Sequence, residues 1–244
     1  IFLESTEMMK TVVVLQSNYI PWKGYFDLIN DADEFIFYDD VQFTKNDWRN
    51  RNIVKTAQGL HWLSVPVGSS GDRLVCDVEI KDHSWQIKHY KTLVANYGKS
   101  PFFEMYQPFL KEIYIDIHWK NLSDLNQFII KSVSNRFLGI NTAFRDSREL
   151  DAPGKKQERL LEILRQVGAS TYISGPAAKN YIDAAGFEAE KIELVWKDYS
   201  GYPAYPQKYL QFEHGVSIFD LLFNVGPKAP WFIWGWRNDT SHMP

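Results

Sequence analysis

Two adjacent carboxylates stand at the end of an apolar run early in this sequence. Asp39 and Asp40 close the stretch EFIFYDD, which has the composition of a buried strand. A carboxylate placed there can act as a general base, or bind a metal ion or a ribose hydroxyl. Neighbouring strand residues face opposite sides, so at most one of the two points into a given cleft, and Gln42 can share the face of Asp40. The alternative is a turn-stabilising role for both.

Two arginines follow within the segment WRNRN. Arg49 and Arg51 are two residues apart, so on an extended segment their guanidinium groups face the same way, which suits a diphosphate or a carboxylate. Lys55 continues the alternation and adds a third positive group. Ion pairs with Asp39, Asp40 or Asp47 are the structural alternative. The binding candidates in this segment are Trp48, Arg49, Asn50, Arg51 and Lys55.

A turn rich in aromatic residues, NYIPWKGY, precedes both clusters. Gly24 permits close approach of the backbone, and the helix that follows can hold an anion at its N-terminus. The turn resembles the phosphate-binding turn of adenylyl-transferring α/β proteins, with Trp22 and Tyr25 where those proteins carry histidines. A nucleotide-binding turn without that chemistry and a rigid turn packed in the core are the alternatives. Gln16 and Tyr19 are further binding candidates beside it.

Other residues with reactive side chains are scattered along the chain. His89 follows Trp85 by four residues on a predicted helix and is a candidate for proton transfer near pH 7, although a helical histidine is often structural. The remaining histidines and the single cysteine have no metal-ligand spacing, so no metal site is expected. Ser174, Gly175 and Tyr181 border a strand-to-helix junction that can cradle a second anion or serve as an N-cap.

The pattern of elements predicts an α/β fold with a mainly parallel sheet, flanking helices, a nucleotidyltransferase-like N-terminal half and a helical insertion. The first two strands and the helix between them form a β-loop-α-β unit, for which parallel pairing is expected. Ligands in such sheets bind beyond the carboxyl ends of the strands. The expected parts are 9–84 with the site, 85–140 as a helical subdomain, and 141–226 as the rest of the α/β domain.

Several further elements are predicted from periodicity and from turn residues. We expect a strand at 75–80 and helices at 102–118, 122–138, 157–167, 178–185 and 217–223, the last capped by Ser217. Asp220 lies in this last, otherwise apolar helix and needs a partner if it is buried. We expect that partner to be an arginine from the first half of the chain.

Composition narrows the classes of function. The net charge is −3, from 27 basic and 30 acidic residues, which argues against general binding of genomic nucleic acid. No apolar run has the length of a membrane span, no secretory signal is evident, and one cysteine suits a reducing cytoplasm. Aromatic residues make up 16% of the chain, and they can supply flat walls for sugars and nucleobases.

Taken together, these motifs resemble the WbqC family. The likeness is carried by QSNYIPWKGYF, DDVQF, WRNRN-IVK, WLSVPV, YISG and SIFDLLFNVG, and it extends from about Met9 to about Gly226. One departure is Ser17-Asn18, where relatives commonly have Gln-Pro. The resemblance implies work on activated sugars, because the family is associated with gene clusters for O-antigen and other bacterial surface polysaccharides.

The resemblance and the residues together lead to an expected activity, which is N-acyl or aminoacyl (for example glycyl) transfer to the amine of a nucleotide-linked amino sugar. Arg49, Arg51 and Lys55 would hold the diphosphate, and aromatic rings including Trp22 and Trp48 would hold the flat groups. Asp39, Asp40 or His89 would take the proton from the amine. The acyl donor stays open between a free acid with ATP, a coenzyme A ester and an aminoacyl-tRNA, and no cofactor is indicated. Nucleotidyl transfer or adenylate formation, and non-catalytic binding of a nucleotide sugar or glycan, are the alternatives.

Overall fold

The computed structural model describes residues 9–69, 72–209 and 211–239. The strands are β1 (Thr11–Leu15), β2 (Glu34–Phe37), β3 (Arg51–Thr56), β4 (Gly59–Ser64), β5 (Ala143–Asp146), β6 (Thr171–Ser174) and β7 (Glu193–Trp196). The α-helices are α1 (Lys23–Asn30), α2 (Ser84–Tyr97), α3 (Phe103–Lys111), α4 (Leu122–Ser132), α5 (Lys156–Gln166), α6 (Ala184–Ala189), α7 (Ile218–Val225) and α8 (Ala229–Ile233). Short 3-10 helices lie at Val75–Asp77, Ser147–Glu149, Pro176–Asn180, Gly226–Lys228 and Gly235–Asn238, and π-helical turns at Glu112–Asp116 and Val133–Leu138.

The chain divides into two compact units, each built from separate segments. The sheet unit contains the residues up to Leu15, Leu28–Tyr38 and Asn141–Asp198. The helical unit contains Gln16–Asp27, Asp39–Ile140 and the residues from Tyr199 onward. Parallel strands require long crossover connections, and here the connections are large enough to form a compact unit of their own. The three consecutive parts expected from the sequence therefore do not coincide with these units.

The sheet unit is built on five parallel strands in the order β5-β2-β1-β6-β7. The predicted parallel pairing of the first two strands is confirmed, with Leu15 opposite Phe37 at their carboxyl ends. Val12 and Val14 face the same side of the sheet, because every second residue of a strand does so. Both pack in a core that includes Ile163 of α5 and Phe187 of α6. The sequence prediction of an α/β fold with a parallel sheet and flanking helices is confirmed.

One predicted helix of the sheet unit is wrong. The segment expected to be helical at 178–185 instead contains the end of a 3-10 helix, Pro176–Asn180, and the beginning of α6. Asp183 separates the two because its side chain accepts a hydrogen bond from Ala185 N, at 3.1 Å, and so caps α6. Gly186 lies inside this helix rather than ending one. A Cβ atom there would come within 2.6 Å of the Gln157 side chain, so the glycine permits close packing.

The helical unit combines the antiparallel hairpin β3–β4 with helices that share an aromatic core. Phe223 of α7 lies at the centre of this core, with its ring 5.3 Å from that of Tyr97, 5.1 Å from that of Phe103 and 5.6 Å from that of Phe219. The predicted cap of this helix is confirmed, since the Ser217 side chain accepts a hydrogen bond from Phe219 N at 3.3 Å. These rings account for part of the unusually high aromatic content as ordinary core packing.

Two further expectations for the helical unit need correction. The expected strand at 75–80 is wrong, because a 3-10 helix forms at Val75–Asp77, where Cys76 N donates to the Asp39 carbonyl at 2.8 Å. The helices expected at 102–118 and 122–138 are α-helical only as far as Lys111 and Ser132, and each continues as a π-helical turn. The second ends at Gly139, whose φ of 66° is a left-handed conformation that favours glycine.

Asp220 is buried as expected, but its partners differ from the expected arginine. Its carboxylate accepts hydrogen bonds from the Tyr97 and Tyr205 hydroxyls, both at 2.8 Å. An arginine does pair with a buried carboxylate elsewhere in this unit. Arg237 donates to both oxygens of Asp27, at 2.9 and 2.7 Å, and the Tyr202 hydroxyl donates to the same group at 2.5 Å.

In the described part of the chain, no helix has the length and apolar character needed to cross a membrane.

The Asp27–Arg237 pair provides a stability test. We expect Asp27→Ala to lower the free energy of unfolding by about 3 kcal/mol, because it leaves a guanidinium and a buried hydroxyl without their acceptor. The matched control is Glu79→Ala, which removes an ion pair between Glu79 and Lys81. Their side chains are 68% and 85% exposed, respectively, so the loss of free energy of unfolding should be less than about 1 kcal/mol. Urea unfolding followed by tryptophan fluorescence measures both. Equal losses in the two variants would contradict the assignment.

Candidate functional site

Asp39 is completely buried, and its carboxylate joins three segments of the helical unit. Oδ1 accepts a hydrogen bond from Ser17 N at 2.8 Å, and Oδ2 accepts from the Ser123 hydroxyl and from Gln127 Nε2, the latter at 3.2 Å. These contacts connect the segment that follows β1 to helix α4. Since both oxygens are engaged away from solvent, the geometry suits a positioning carboxylate and does not fit the expected general base. Asp40 is half-buried and stays a candidate for that role.

Gln16, Tyr25 and Arg49 are brought together beside this carboxylate. Arg49 Nη2 donates to Gln16 Oε1 at 2.8 Å, Nη1 pairs with Asp47, and the Tyr25 hydroxyl donates to the Gln16 carbonyl at 2.9 Å. The buried Arg49 Nε has no hydrogen-bond partner among the described residues. The alternative of an ion pair with Asp47 is therefore what the structure shows for Arg49.

Arg51 lies in a different environment, on an exposed aromatic surface. Its guanidinium carbon lies 4.2 Å from the ring centroid of Trp62, and that ring is 5.4 Å from the ring of Trp48. Trp48 and Trp62 are 45% and 41% exposed, so the two rings face solvent. The buried Arg51 Nε has no hydrogen-bond partner among the described residues. We call Trp48, Arg51 and Trp62 the aromatic–guanidinium platform.

Trp62 is a candidate that the sequence analysis missed, although strand alternation points to it. Arg51 pairs with Ser64 across the hairpin and Ile53 pairs with Trp62, so Trp62 is the diagonal neighbour of Arg51 on one face. Four of the first five residues of β4 are exposed, Leu63 being the exception, which leaves this face open. The register of the hairpin, which depends on its turn, decides this pairing.

His89 and Tyr19 lie in the interior of the helical unit. The Tyr19 hydroxyl is 2.8 Å from His89 Nδ1 and 2.7 Å from the Tyr114 hydroxyl, and all three side chains are buried. Burial lowers the pKa of His89 to about 3, against a smaller opposing effect of a hydrogen bond to the Ser64 backbone. The ring is therefore neutral at pH 7. This environment does not fit the expected proton transfer by His89 or substrate contact by Tyr19.

The Trp22 ring packs directly over Gly24. A Cβ atom on Gly24 would lie 2.1 Å from the Trp22 ring, so the glycine makes room for the indole. The indole in turn packs edge-on against Tyr199 and Tyr202, with ring centroids 5.2 and 6.0 Å away. In this conformation the space over Gly24 is filled by Trp22. The close approach that this glycine permits is therefore that of an indole, whereas a phosphate was expected.

The turn also contains a lysine that the sequence analysis passed over. Lys23 is buried, and its Nζ lies 2.7 Å from His214 Nδ1. The rings of Tyr202, Tyr205 and Phe212 surround this amine, at 5.0, 5.3 and 5.5 Å from Nζ to the ring centroids. Burial lowers the pKa of Lys23 to about 8, and Asp220 opposes this effect. A lysine after an aromatic residue at a helix start gives no sequence signal for such an environment.

The other predicted binding residues of this unit are held by its own chain or lie exposed. Lys55 is buried and donates from Nζ to Gln207 Oε1 and to the carbonyls of Tyr209 and Gln211, at 3.2, 3.3 and 2.5 Å. Asn50 is buried and donates to the Val65 carbonyl at 3.2 Å. Gln42 is exposed and forms an isolated antiparallel bridge with Leu74.

Ser174, Gly175 and Tyr181 belong to the sheet unit. Ser174 ends β6 and accepts a hydrogen bond at its carbonyl from Lys197 N at 2.8 Å, while Tyr181 is 76% exposed. Gly175 caps the short 3-10 helix without a side-chain hydrogen bond, so Ser174 is not the N-cap considered above. The proposed second anion cradle stays a prediction.

An α/β protein with a parallel sheet and an exposed aromatic–guanidinium surface is the class that these observations define. The model of the WbqC-like protein family matches residues 16–231, and the chain belongs to that family. The uncharacterized protein Rv1507c of Mycobacterium tuberculosis is 43% identical over 227 residues, which cover 92% of this chain and 98% of that relative. No solved structure matches the chain. The matched region contains every candidate residue described above.

The buried carboxylate of Asp39 yields one prediction. In Asp39→Asn an NH2 group, which donates hydrogen bonds, replaces one carboxylate oxygen. This donor then faces the existing donors of Ser17, Ser123 or Gln127, and no hydrogen bond can form between two donors. We expect a loss of about 2 kcal/mol in the free energy of unfolding. Chemical denaturation measures this. A variant as stable as the wild-type protein would show that the carboxylate does not hold these segments together.

Lys23 yields a pH-dependent prediction. Its pKa falls from 10.5 to about 8 on folding, so the unfolded chain binds more protons between these pH values and stability rises with pH across this window. The penalty for the buried charge is complete below about pH 8. We expect Lys23→Met to be more stable than the wild-type protein by about 2 kcal/mol at pH 7, after allowance for solvent screening, and this gain should vanish near pH 10.5.

Denaturation curves collected from pH 7 to about pH 10.5 measure this difference. The control is Lys91→Met on helix α2, where the lysine is exposed, and its stability difference should stay constant over the same range. A constant difference for Lys23→Met as well would contradict the prediction.

Proposed function

We propose that this WbqC-like protein is an enzyme of surface-polysaccharide biosynthesis. It transfers an acyl or aminoacyl group to the free amine of a nucleotide-linked amino sugar. The single observation that carries the proposal is the aromatic–guanidinium platform of Trp48, Arg51 and Trp62. Family membership supports the connection with surface polysaccharides through the resemblance described above, and the relative in Mycobacterium tuberculosis adds no statement of activity.

The platform offers the two kinds of contact that a nucleotide-linked sugar needs. Partly exposed indoles supply flat apolar faces for a base or a sugar ring, since Trp48 and Trp62 are packed 5.4 Å apart. A guanidinium that already stacks on an indole is held in place, so it loses little freedom when it binds a phosphate. Arg49 lies two residues away and has a buried Nε without a partner among the described residues.

Acylation also requires that the substrate amine lose a proton. Among the side chains expected for this step, Asp39 has both oxygens engaged and His89 is buried and neutral. Asp40 is the expected residue that retains partial exposure. An amine attacks an acyl donor only in its neutral form, so a base near the bound amine is a requirement of the reaction.

One observation favours a second function, the non-catalytic binding of a nucleotide sugar. The residues suited to recognition, Trp48 and Trp62, are exposed, whereas Asp39 and His89 are interior. On this alternative, the platform binds and releases its ligand unchanged. No observation within the described residues favours nucleotidyl transfer, because the Trp22 indole fills the space over Gly24.

Binding of UDP-glucosamine, measured by calorimetry, tests the platform. We expect Arg51→Ala and Trp62→Ala each to weaken binding at least tenfold, because each removes one contact to the diphosphate or the ring. The control is Arg165→Ala, an arginine of the sheet unit whose side chain is 59% exposed, which should leave the affinity unchanged. If millimolar UDP-glucosamine does not bind, or if Arg51→Ala binds as tightly as the wild-type protein, the platform is not the recognition surface.

A second measurement separates the enzyme from the binding protein. The protein is incubated with UDP-glucosamine and, in separate reactions, with a coenzyme A ester, an amino acid with ATP, or an aminoacyl-tRNA. Mass spectrometry of the sugar nucleotide then detects the added acyl group. We expect one donor class to give product with the wild-type protein. Unchanged sugar nucleotide in every reaction, together with tight binding, would support the non-catalytic function.

A further inference from the structure

Lys23 is a buried amine that forms no ion pair with any of the described residues. Among the described residues, no carboxylate lies within ion-pair distance of its Nζ, and its one hydrogen-bond partner is His214 Nδ1. The rings around it offer only weak cation–π stabilisation. A charged lysine in such a place is costly, and two of its three donors have no acceptor among the residues that the structure describes, which points to a functional group.

The contact with His214 can exist in two states. When Lys23 is charged, Nζ donates to a bare His214 Nδ1, and the ring proton is on Nε2. When Lys23 is neutral, Nδ1 carries the ring proton and donates it to the lone pair of Nζ. The Nζ–Nδ1 separation of 2.7 Å suits both states. His214 is exposed to solvent, so its far side is accessible while Lys23 is enclosed.

Several ionisable groups surround this pair. Asp220 favours the charged form of Lys23, but its carboxylate is buried and burial raises the pKa of Asp220. Burial and the charge of Lys23 lower the pKa of His214, and Glu213 opposes them. The phenols of Tyr202 and Tyr205 are further titratable groups beside the amine. Each donates its proton to a carboxylate, Asp27 and Asp220 respectively, and the pKa of each is raised.

A pocket of about 650 Å³ lies in the helical unit, and the chain segment that forms part of its wall leads directly into His214. Its walls include Phe212 and Glu213, which directly precede His214, and the Phe212 ring lies 4.5 Å from the His214 ring. Its lining also includes Leu60 and Lys55, which pair across the hairpin β3–β4. These two residues lie on the strand face that carries Arg51 and Trp62, roughly 13 Å away along the strand. One hairpin face therefore connects the platform to the pocket.

We propose that His214 and Lys23 form a catalytic proton-relay dyad that removes a proton from an ammonium group bound in this pocket. The identity of the ammonium substrate rests on the function proposed above, in which the amino sugar of a nucleotide sugar extends from the platform. Glu213 supplies a carboxylate in the pocket wall that attracts the positively charged group before deprotonation.

The relay step is balanced in protons and charge. The substrate ammonium transfers a proton to His214 Nε2, while the proton on His214 Nδ1 moves to the lone pair of Lys23 Nζ. The products are a neutral substrate amine, a neutral histidine in its other tautomer and a charged Lys23. The substrate amine is then free to attack the acyl carbon. Lys23 itself is not acylated in this scheme, because an amide at Nζ would be too stable to pass the acyl group on.

A substrate-free experiment tests whether the pair shares a proton. The Lys23 ¹³Cε resonance and both ring nitrogens of His214 are followed by NMR between pH 6 and 11, with Lys23→Met used for assignment. We expect the lysine to titrate near pH 8, and the His214 tautomer to change over the same interval. In Lys23→Met the tautomer change should be absent. Titration of Lys23 near its ordinary pKa, or a His214 tautomer that is constant across the lysine transition, would overturn the dyad.

A kinetic experiment tests the catalytic role, using the acylation assay described above. We expect His214→Gln and Lys23→Met each to lower kcat at least 100-fold, and the wild-type rate to rise with pH and level off above about pH 8. His118→Gln, at an exposed histidine, is the control and should keep the wild-type rate. Acylation at the wild-type rate in His214→Gln would overturn the relay while leaving the proposed function intact. A proton-sharing pair in a protein that acylates no sugar nucleotide would instead refute the proposed function.

Discussion

The buried carboxylate of Asp39 is the interaction on which the candidate site depends. The carboxylate accepts hydrogen bonds from a backbone amide in the segment after β1, and from a hydroxyl and a side-chain amide of α4. The backbone carbonyl of Asp39 accepts a further hydrogen bond from Cys76 N. A carboxylate without solvent is tolerated only when its oxygens are fully hydrogen-bonded, so these segments must meet in one arrangement. The positions of Gln16 and Arg49 depend on this arrangement. Asp39 holds Ser17, which directly follows Gln16, and Asn126 of α4 donates a hydrogen bond to the Arg49 carbonyl. The Arg49 side chain then donates to Gln16.

Buried charges in the helical unit are compensated by an ion pair in one case and by several oxygen acceptors in another. Asp27 is neutralised by the two-point contact with Arg237, and Lys55 is surrounded by carbonyl and amide oxygens. Within the described ranges Lys23 has neither arrangement, and its contacts are a histidine nitrogen and aromatic rings. A buried charge is tolerated when it is paired or fully hydrogen-bonded, whereas an unpaired amine is a cost that a function can justify.

The hairpin β3–β4 connects recognition with chemistry in the proposed activity. One of its faces carries Arg51 and Trp62 near one end, and Lys55 and Leu60 near the other, where the pocket begins. Strand alternation places these side chains on the same side, so an extended ligand can contact both ends without bending. The exposure of most of β4 then has a physical reason, because a covered strand could not present such a surface.

Local sequence by itself determined several of the elements. The β-branched run of β1, the alternation in β3 and β4 and the Ser217 cap are each specified by neighbouring residues, and the parallel α/β sheet follows from them. It also predicted a binding site in the segment that contains Gln16, Arg49 and Arg51, and that site stays a prediction. Tertiary structure alone decided that Asp39 and His89 are interior, that Asp220 pairs with tyrosines, and that Lys23 meets His214. Burial and counter-ion contacts depend on residues up to 210 positions apart, and no local pattern encodes them.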